Sequence, residues 1–202
     1  MPKVFYVLMI GTALIMFVGG IFLWSGISED VGDIIPAVKV EPPENYKIIE
    51  TDEGISVENS NVGLKFKVPE GWTAEKQEVQ ADEWVINMAS PDIKVGDDGL
   101  LSEGCGISAG VEQHEGAANA VRFRINDPEE YSNEINGTYA VMYVNEKSAL
   151  KMVLSREGWG SMVAVKIPIE DRIIIFDTLF RPNTEQKCSQ AFNQFLEQVV
   201  IE

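Results

Sequence analysis

Two cysteines are the residues of this sequence best suited to form a covalent link. Cys105 lies in a stretch of alternating apolar residues, which predicts a strand, and Cys188 lies in an apolar stripe at helical spacing. Both side chains are therefore expected to face the same interior. Outside the cytoplasm two such thiols tend to oxidise, so we predict a Cys105–Cys188 disulfide. The alternative is a pair of separate buried thiols that pack as small apolar side chains.

One histidine is available as a general base or a metal ligand. His114 lies two residues after Glu112, and on a strand these two side chains would point to the same side. A carboxylate beside an imidazole could act as a general base, so a hydrolase that uses Glu112 and His114 is one hypothesis. A single imidazole has no second histidine to complete a metal site, and the pair lies at the end of the predicted strand. A solvated turn is therefore the expected setting, and no metal is predicted.

Three tryptophans are candidates for a ligand groove between sheet and helix: Trp72, Trp84 and Trp159. Large aromatic side chains are also typical of hydrophobic cores, and that alternative stays open. The sequence contains neither Gly-x-Ser-x-Gly nor a phosphate-binding glycine loop, and its Asp92–Glu103 segment lacks the ligand spacing of a calcium loop. We therefore predict no catalytic residues and no cofactor.

The charge balance excludes several classes of partner. The 202 residues include 32 acidic and 16 basic side chains, which gives a formal net charge of -16. Nucleic acid binding requires a positive field, so no nucleic acid partner is expected. A basic patch that docks on anionic lipid headgroups is excluded for the same reason.

Residues 4–24 carry no charged side chain. A helix of this length spans about 31 Å, roughly the hydrocarbon thickness of a bilayer. The run is longer than the apolar region of a typical signal peptide and no small-x-small cleavage site follows it, so an uncleaved signal anchor is favoured over a cleaved leader. Lys3 precedes the run, which predicts that residues 1–3 stay in the cytoplasm and that the rest of the chain is outside.

The chain after the predicted anchor divides into two parts. Residues 25–56 are acidic and contain three prolines, which predicts a solvated linker, with a short edge strand as the alternative at residues 34–40. From about residue 57 apolar residues recur at the spacing of strands and helices, which places the folded domain at residues 57–202.

The predicted strands lie at 62–68, 84–88, 105–111, 139–143, 149–154, 162–167 and 173–180, and the predicted helices at 117–125 and from about 183 to the end. Consecutive strands with few intervening helices indicate an α+β fold with an antiparallel sheet covered by helices.

The opening strand and turn of this domain, residues 63–72 (GLKFKVPEGW), resemble the start of PsbP-like domains, where an apolar strand runs into a Pro-x-Gly-Trp turn. The closing strand at residues 173–180 and the helix after it are also similar. The resemblance covers about residues 57–202 and implies an α-β-α sandwich in a membrane-anchored prokaryotic member. Some photosynthetic members hold metal through histidines. Because His114 has no matching ligand set here, the photosynthetic role is not carried over.

Three functions follow as hypotheses. The leading one is a non-enzymatic binding or assembly module, anchored by residues 4–24, with a protein partner at the outer face of the membrane. The second is a domain that binds a small ligand or lipid in a cleft lined by tryptophans. The third is the hydrolase that uses His114 and Glu112.

Overall fold

The computed structural model of the chain describes residues 39–80, 83–96, 101–126, 137–156, 160–181 and 183–202. The strands before residue 104 are β1 (Lys39–Val40), β2 (Tyr46–Thr51), β3 (Gly54–Asn59), β4 (Leu64–Lys67), β5 (Thr73–Gln80), β6 (Glu83–Ala89), β7 (Lys94–Val95) and β8 (Leu101–Glu103). The later strands are β9 (Gly106–Gln113), β10 (Gly137–Val144), β11 (Lys147–Arg156), β12 (Gly160–Ile169), β13 (Arg172–Phe180) and β14 (Val200–Ile201). The helices are α1 (Glu115–Asn126), α2 (Glu185–Leu196) and a short 3₁₀ helix, Pro43–Asn45.

The predicted membrane anchor, residues 4–24, lies outside the described residues. Within the described ranges, neither α-helix has the length and apolar character needed to cross a bilayer.

The large sheet is antiparallel, with strand order β10-β11-β12-β13-β9-β6-β5, and β1 pairs with the end of β9. The strands at 84–88, 105–111, 139–143, 149–154, 162–167 and 173–180 are confirmed as β6, β9, β10, β11, β12 and β13. β13 lies between β12 and β9, which explains its near-continuous apolar sequence: both of its faces are buried.

A second, four-stranded sheet has the order β14-β4-β3-β2. Its strands β2 and β3 form a hairpin that begins within the predicted linker and ends at Asn59, so the prediction of a solvated tether is wrong for residues 39–56. Apolar and polar residues alternate only weakly along β2. Of its side chains only Tyr46 is fully buried, and Ile49 is exposed. The folded part therefore begins earlier than residue 57, near β1.

The main core lies between the two sheets and α2. Phe66 of β4, Phe176 of β13 and Phe195 of α2 meet there edge to face, with ring centroids 5.3 to 6.0 Å apart. Such aromatic contacts add to the free energy gained from apolar burial. One aromatic cluster therefore joins the large sheet, the small sheet and α2.

The opposite face of the large sheet packs against α1. Ala118 and Val121 of α1 are buried with Leu150 and Ile173 of the sheet. The expected α+β class with an antiparallel sheet between helices is confirmed in outline. The covering layer on the α2 side also contains the second sheet, whose strand β4 corresponds to the predicted strand at 62–68 and whose strand β2 lies in the predicted linker.

A buried carboxylate fastens the segment after β1 to this core. Glu41 is 6% exposed, and it accepts hydrogen bonds from the Asn45 side chain and from Asn61 Nδ2 at 3.2 Å. Arg172 Nε lies 3.7 Å from its Oε1, and Arg172 also donates to the carbonyl of Asn61 at 2.7 Å. Because a buried charge is costly unless it is paired, this network favours the folded position of residues 41–45.

Candidate functional site

The disulfide predicted between Cys105 and Cys188 is confirmed. The two Cα atoms are 5.4 Å apart, and both side chains are buried. Cys105 immediately precedes β9, and Cys188 lies in the first turns of α2. The bond therefore ties α2 to the start of a central strand, across 83 residues of sequence.

The backbone next to Cys105 is closely packed. Ser90 and Cys105 exchange two hydrogen bonds, from Ser90 N to the Cys105 carbonyl at 2.9 Å and from Cys105 N to Ser90 Oγ at 2.8 Å. Gly104 has φ +76°, and a Cβ there would come within 2.5 Å of Ile93 Cα. Only glycine fits both the dihedral and the space.

An ion pair links the same region to α2. Lys187 donates a hydrogen bond to Asp92, whose other oxygen accepts from Ser90 Oγ at 2.8 Å. The Lys187 bond, followed by the Ser90 bond, lowers the pKa of the Asp92 carboxyl. This pair is exposed, so its contribution to stability is small. The disulfide region is thus a rigid structural junction.

The tryptophans of the predicted cleft do not come together where the structure describes them. Trp72 is half-buried against the main core, just before β5. Trp84 lies opposite Glu78, at the other end of the β5–β6 hairpin, while Thr73 pairs with Ala89. At about 3.3 Å per residue the two ends are separated by roughly 17 Å. Trp159 lies outside the described residues.

His114 is placed as a helix cap. Its Nδ1 accepts a hydrogen bond from Ala117 N at 2.9 Å, and its carbonyl accepts from Ala118 N at 2.9 Å. This ring nitrogen accepts the hydrogen bond that a serine or aspartate oxygen usually accepts at the N-cap, the residue just before the first helical residue. The imidazole is therefore engaged with the N-terminus of α1.

Glu112 has a different environment from His114. It is 9% exposed and lies on β9 opposite Ile173, on the side of the large sheet that faces α1. Its charge acts on Lys166 and Asp177. The structure thus places Glu112 in a buried polar cluster with those two residues.

That cluster continues across three strands of the large sheet. Asp177 of β13 lies opposite Ser108 of β9, and Ser108 lies opposite Asn87 of β6. All three side chains are buried, at 8%, 3% and 3% exposure. Directly opposed Cβ atoms in such a row are about 4.5–5.5 Å apart. We call this set, together with Glu112 and Lys166, the polar row.

Burial dominates the electrostatics of the polar row. It raises the pKa of Asp177 to about 7, an effect that the positive charge of Lys166 opposes and the negative charge of Glu112 reinforces. Burial also lowers the pKa of Lys166, against the attraction of Glu112 and with the repulsion of Arg124. A carboxyl group that titrates near neutral pH beside a hydroxyl and an amide can hold or release a proton, and can hydrogen-bond a polar ligand.

The sequence contained a signal for the polar row that its apolar pattern obscured. Asp177 is the one acidic residue of β13, whose other charged residue, Arg172, begins the strand, and Lys166 is the one charged residue of β12. A charged residue in the interior of a strand that is buried on both faces is a site candidate in its own right. Among the described residues, no three His, Cys, Asp or Glu side chains gather in a group that could hold a metal ion.

Comparison with known proteins gives similarity of fold. No protein-family model matches the chain, and no curated protein matches it. LpqN of Mycobacterium tuberculosis, which is involved in cell envelope biogenesis, has a similar structure: TM-score 0.49, 14% identity, 87% of this chain and 99% of LpqN covered.

Two further solved structures are similar. Cyanobacterial PsbP (CyanoP) of Synechocystis gives a TM-score of 0.42 at 9% identity, over 87% of this chain and 99% of CyanoP. A protein of Bacteroides thetaiotaomicron gives 0.42 at 6% identity, over 69% of this chain and 45% of that protein. At these values the likeness concerns the arrangement of secondary structure and not a shared activity.

Proposed function

We propose that this chain is a membrane-anchored binding or assembly module whose folded domain works outside the cytoplasm. The observation that carries the proposal is the buried Cys105–Cys188 disulfide. Disulfides persist in oxidising compartments and are rare in the cytosol. The charge-free run at residues 4–24 supports the same location, because it is long enough to hold the domain at a membrane.

A binding role fits the described residues better than the hydrolase hypothesis. A general base needs its imidazole nitrogen directed at a substrate. His114 instead uses Nδ1 to cap α1, and Glu112 lies in the polar row. Turnover of a common ester, peptide or glycoside by the purified chain, lost in a His114→Ala variant, would contradict this part of the proposal.

Fractionation of cells that produce the full chain tests the anchoring. We expect the chain to sediment with membranes and to resist extraction at alkaline pH, since a spanning helix is not released by loss of charge contacts. Protease added to intact spheroplasts should digest the domain. Recovery of the intact chain in the soluble fraction would overturn the proposed anchor.

A small-ligand role is a second candidate, and the polar row supports it. Asn87, Ser108 and Asp177 supply an amide, a hydroxyl and a carboxyl group on one face of the sheet. A ligand that binds the folded state raises the melting temperature by mass action. A thermal-shift screen of amino acids, sugars and fatty acids tests this candidate, and a hit should lose its effect in Asn87→Ala. A flat screen would count against it.

A further inference from the structure

Among the described residues, the outer edge of β10 is the less protected of the two edges of the large sheet. β10 ends the strand order of the large sheet, and within the described ranges no strand pairs with its outer side. It pairs with β11 over all eight of its residues without a register shift. Long, regular edges of this kind are templates for another strand, and natural proteins usually block them with charges, prolines or bulges.

The opposite edge of the same sheet has these protections. β5 carries Glu75, Lys76 and Glu78, and its pairing with β6 shifts register between Glu78 and Gln80. The sequence of β10, GTYAVMYV, contains neither charge nor proline. Within the part of the chain that the structure describes, one end of the sheet is therefore blocked against strand addition and the other is open to it.

The turn after β10 determines which of its backbone groups face outward. Val144 and Lys147 flank a two-residue turn in which Asn145 and Glu146 have φ 46° and 64°. In such a hairpin the flanking pair exchanges hydrogen bonds, and pairs alternate along the ladder. Val144, Met142 and Ala140 therefore bond to β11, whereas the backbone groups of Tyr143 and Val141 point away from it.

The side chains at these outward positions are apolar or aromatic and remain exposed. Tyr143 is 70% exposed and Val141 is 39% exposed. In a chain with a net charge of -16, an uncharged surface of this kind stands out from its surroundings.

We propose that β10 pairs with β10 of a second copy of this chain, antiparallel, with Val141 on the two-fold axis. In this register Val141 faces Val141 of the partner subunit, and Tyr143 faces Tyr139 of the partner subunit. The intervening small side chain of Ala140 faces the larger Met142 of the partner subunit. The two large sheets would then form one continuous sheet.

The strand sequence itself favours a second copy over an unrelated segment. Tyr139, Val141 and Tyr143 read the same in both directions about Val141. A two-fold interface needs a self-complementary surface, and cross-strand aromatic pairs stabilise antiparallel ladders. No carboxylates meet across this pairing, so the acidic character of the chain does not oppose it locally.

Cysteine crosslinking of the full chain in membranes tests the register. The native cysteines are joined to each other, so Val141→Cys introduces a single reactive thiol. Directly opposed residues of a hydrogen-bonded pair have Cα atoms about 5.5 Å apart, which is within disulfide range. We expect mild oxidation to convert Val141→Cys into a reducible species of twice the mass. The yield of this dimer should be at least about tenfold higher than for Tyr143→Cys alone, because the two Tyr143→Cys thiols are about 13 Å apart in this register.

The matched control is Glu75→Cys, an exposed position on the blocked edge of the same sheet. It should crosslink at background level. Co-production of Tyr139→Cys and Tyr143→Cys chains should restore crosslinking between copies. Equal, background yields for Val141→Cys and Glu75→Cys would overturn the proposal. Protection of Val141→Cys from thiol reagents without dimer formation would also overturn it, since another segment would then cover the edge.

The unsubstituted chain provides a second measurement that does not depend on a cysteine variant. Strand pairing alone buries less area than a standard interface, so we expect a weak dimer whose fraction rises between about 1 and 500 µM in detergent, measured by sedimentation. Val141→Lys should shift the chain to monomer and leave its melting temperature unchanged within about 2 °C. A monomer at every concentration would contradict the pairing.

Discussion

Asp177 of β13 lies directly opposite Ser108 of β9, and both side chains are buried on the face of the large sheet that packs against α1. A carboxyl group in this position loses its hydration, and the diagonal cation Lys166 offsets this in part. Its pKa is therefore raised to about 7, with burial as the main cause. The stability of the fold should therefore depend on whether Asp177 is protonated.

This relationship predicts a pH dependence of stability. Between about pH 4 and pH 7 the folded state keeps a proton on Asp177 that the unfolded state has released, so the free energy of unfolding should fall as pH rises through this window, by up to about 4 kcal/mol. Asp177→Asn should remove this loss. We expect its melting temperature to exceed that of the unsubstituted chain by about 5 °C or more at pH 8, and by a much smaller amount at pH 5, where only about a third of the loss is present.

Ser108→Ala is the control for this prediction, because it alters the polar row without removing a titratable group. Its melting temperature should change by the same amount at both pH values. An Asp177→Asn effect that does not differ between pH 5 and pH 8 would show that Asp177 has an ordinary pKa.

The disulfide predicts a large loss of stability on reduction. Closing a loop of 83 residues restricts the unfolded chain, which corresponds to about 4 kcal/mol by the chain-entropy argument. Urea unfolding with and without dithiothreitol measures the difference. The double variant Cys105→Ala, Cys188→Ala should be as unstable as the reduced chain and insensitive to the reductant. An unsubstituted chain that is equally stable in both conditions would contradict the bond.

The cap at the start of α1 gives a prediction for His114. His114→Ala removes the acceptor for Ala117 N and should lower the free energy of unfolding by about 1 kcal/mol. His114→Asn should restore most of it, because an amide oxygen accepts the same hydrogen bond. Urea denaturation of the three proteins tests this. If the asparagine variant is no more stable than the alanine variant, the cap is not the role of His114.

Two glycines have the same backbone dihedral, so comparing them distinguishes the cost of backbone strain from the cost of a steric clash. Gly71 and Gly104 both have φ +76°, but a Cβ at Gly71 has no atom within 4 Å, while at Gly104 it would meet Ile93 backbone atoms at 2.5 and 2.6 Å. Gly71→Ala should lower the free energy of unfolding by about 1 kcal/mol through strain alone. Gly104→Ala should lower it by about 3 kcal/mol or more. Similar losses for both variants, measured by urea denaturation, would contradict the packing around Cys105.

Regular apolar alternation made most of the large sheet predictable from sequence. The strand at 84–88 shows it clearly, whereas the one at 173–180 was predicted from a near-continuous apolar run, and the structure places them as β6 and β13. The cysteine pair was also predictable, because each residue belonged to an apolar stripe that had to face the core. These features depend on periodicity that each segment carries by itself.

The parts that the sequence missed depend on contacts between distant segments. β2 carries charged and exposed residues because it is an edge strand of the small sheet, so its own sequence resembles a linker. The polar row brings Asn87, Ser108 and Asp177 together from three strands, and only the pairing register shows that they are neighbours. Trp72 and Trp84 are close in sequence, but the hairpin places them at opposite ends.

The most direct test of the proposed function is the redox state and sidedness of Cys105 and Cys188. Intact cells that produce the full chain are treated with a membrane-impermeant thiol reagent, with and without an impermeant reductant, under conditions that open the domain without lysing the cells. We expect labelling of both cysteines only after reduction, which places an oxidised pair outside the cytoplasm. Thiols that label without reduction, and only after lysis, would place the domain in the cytoplasm and contradict the account.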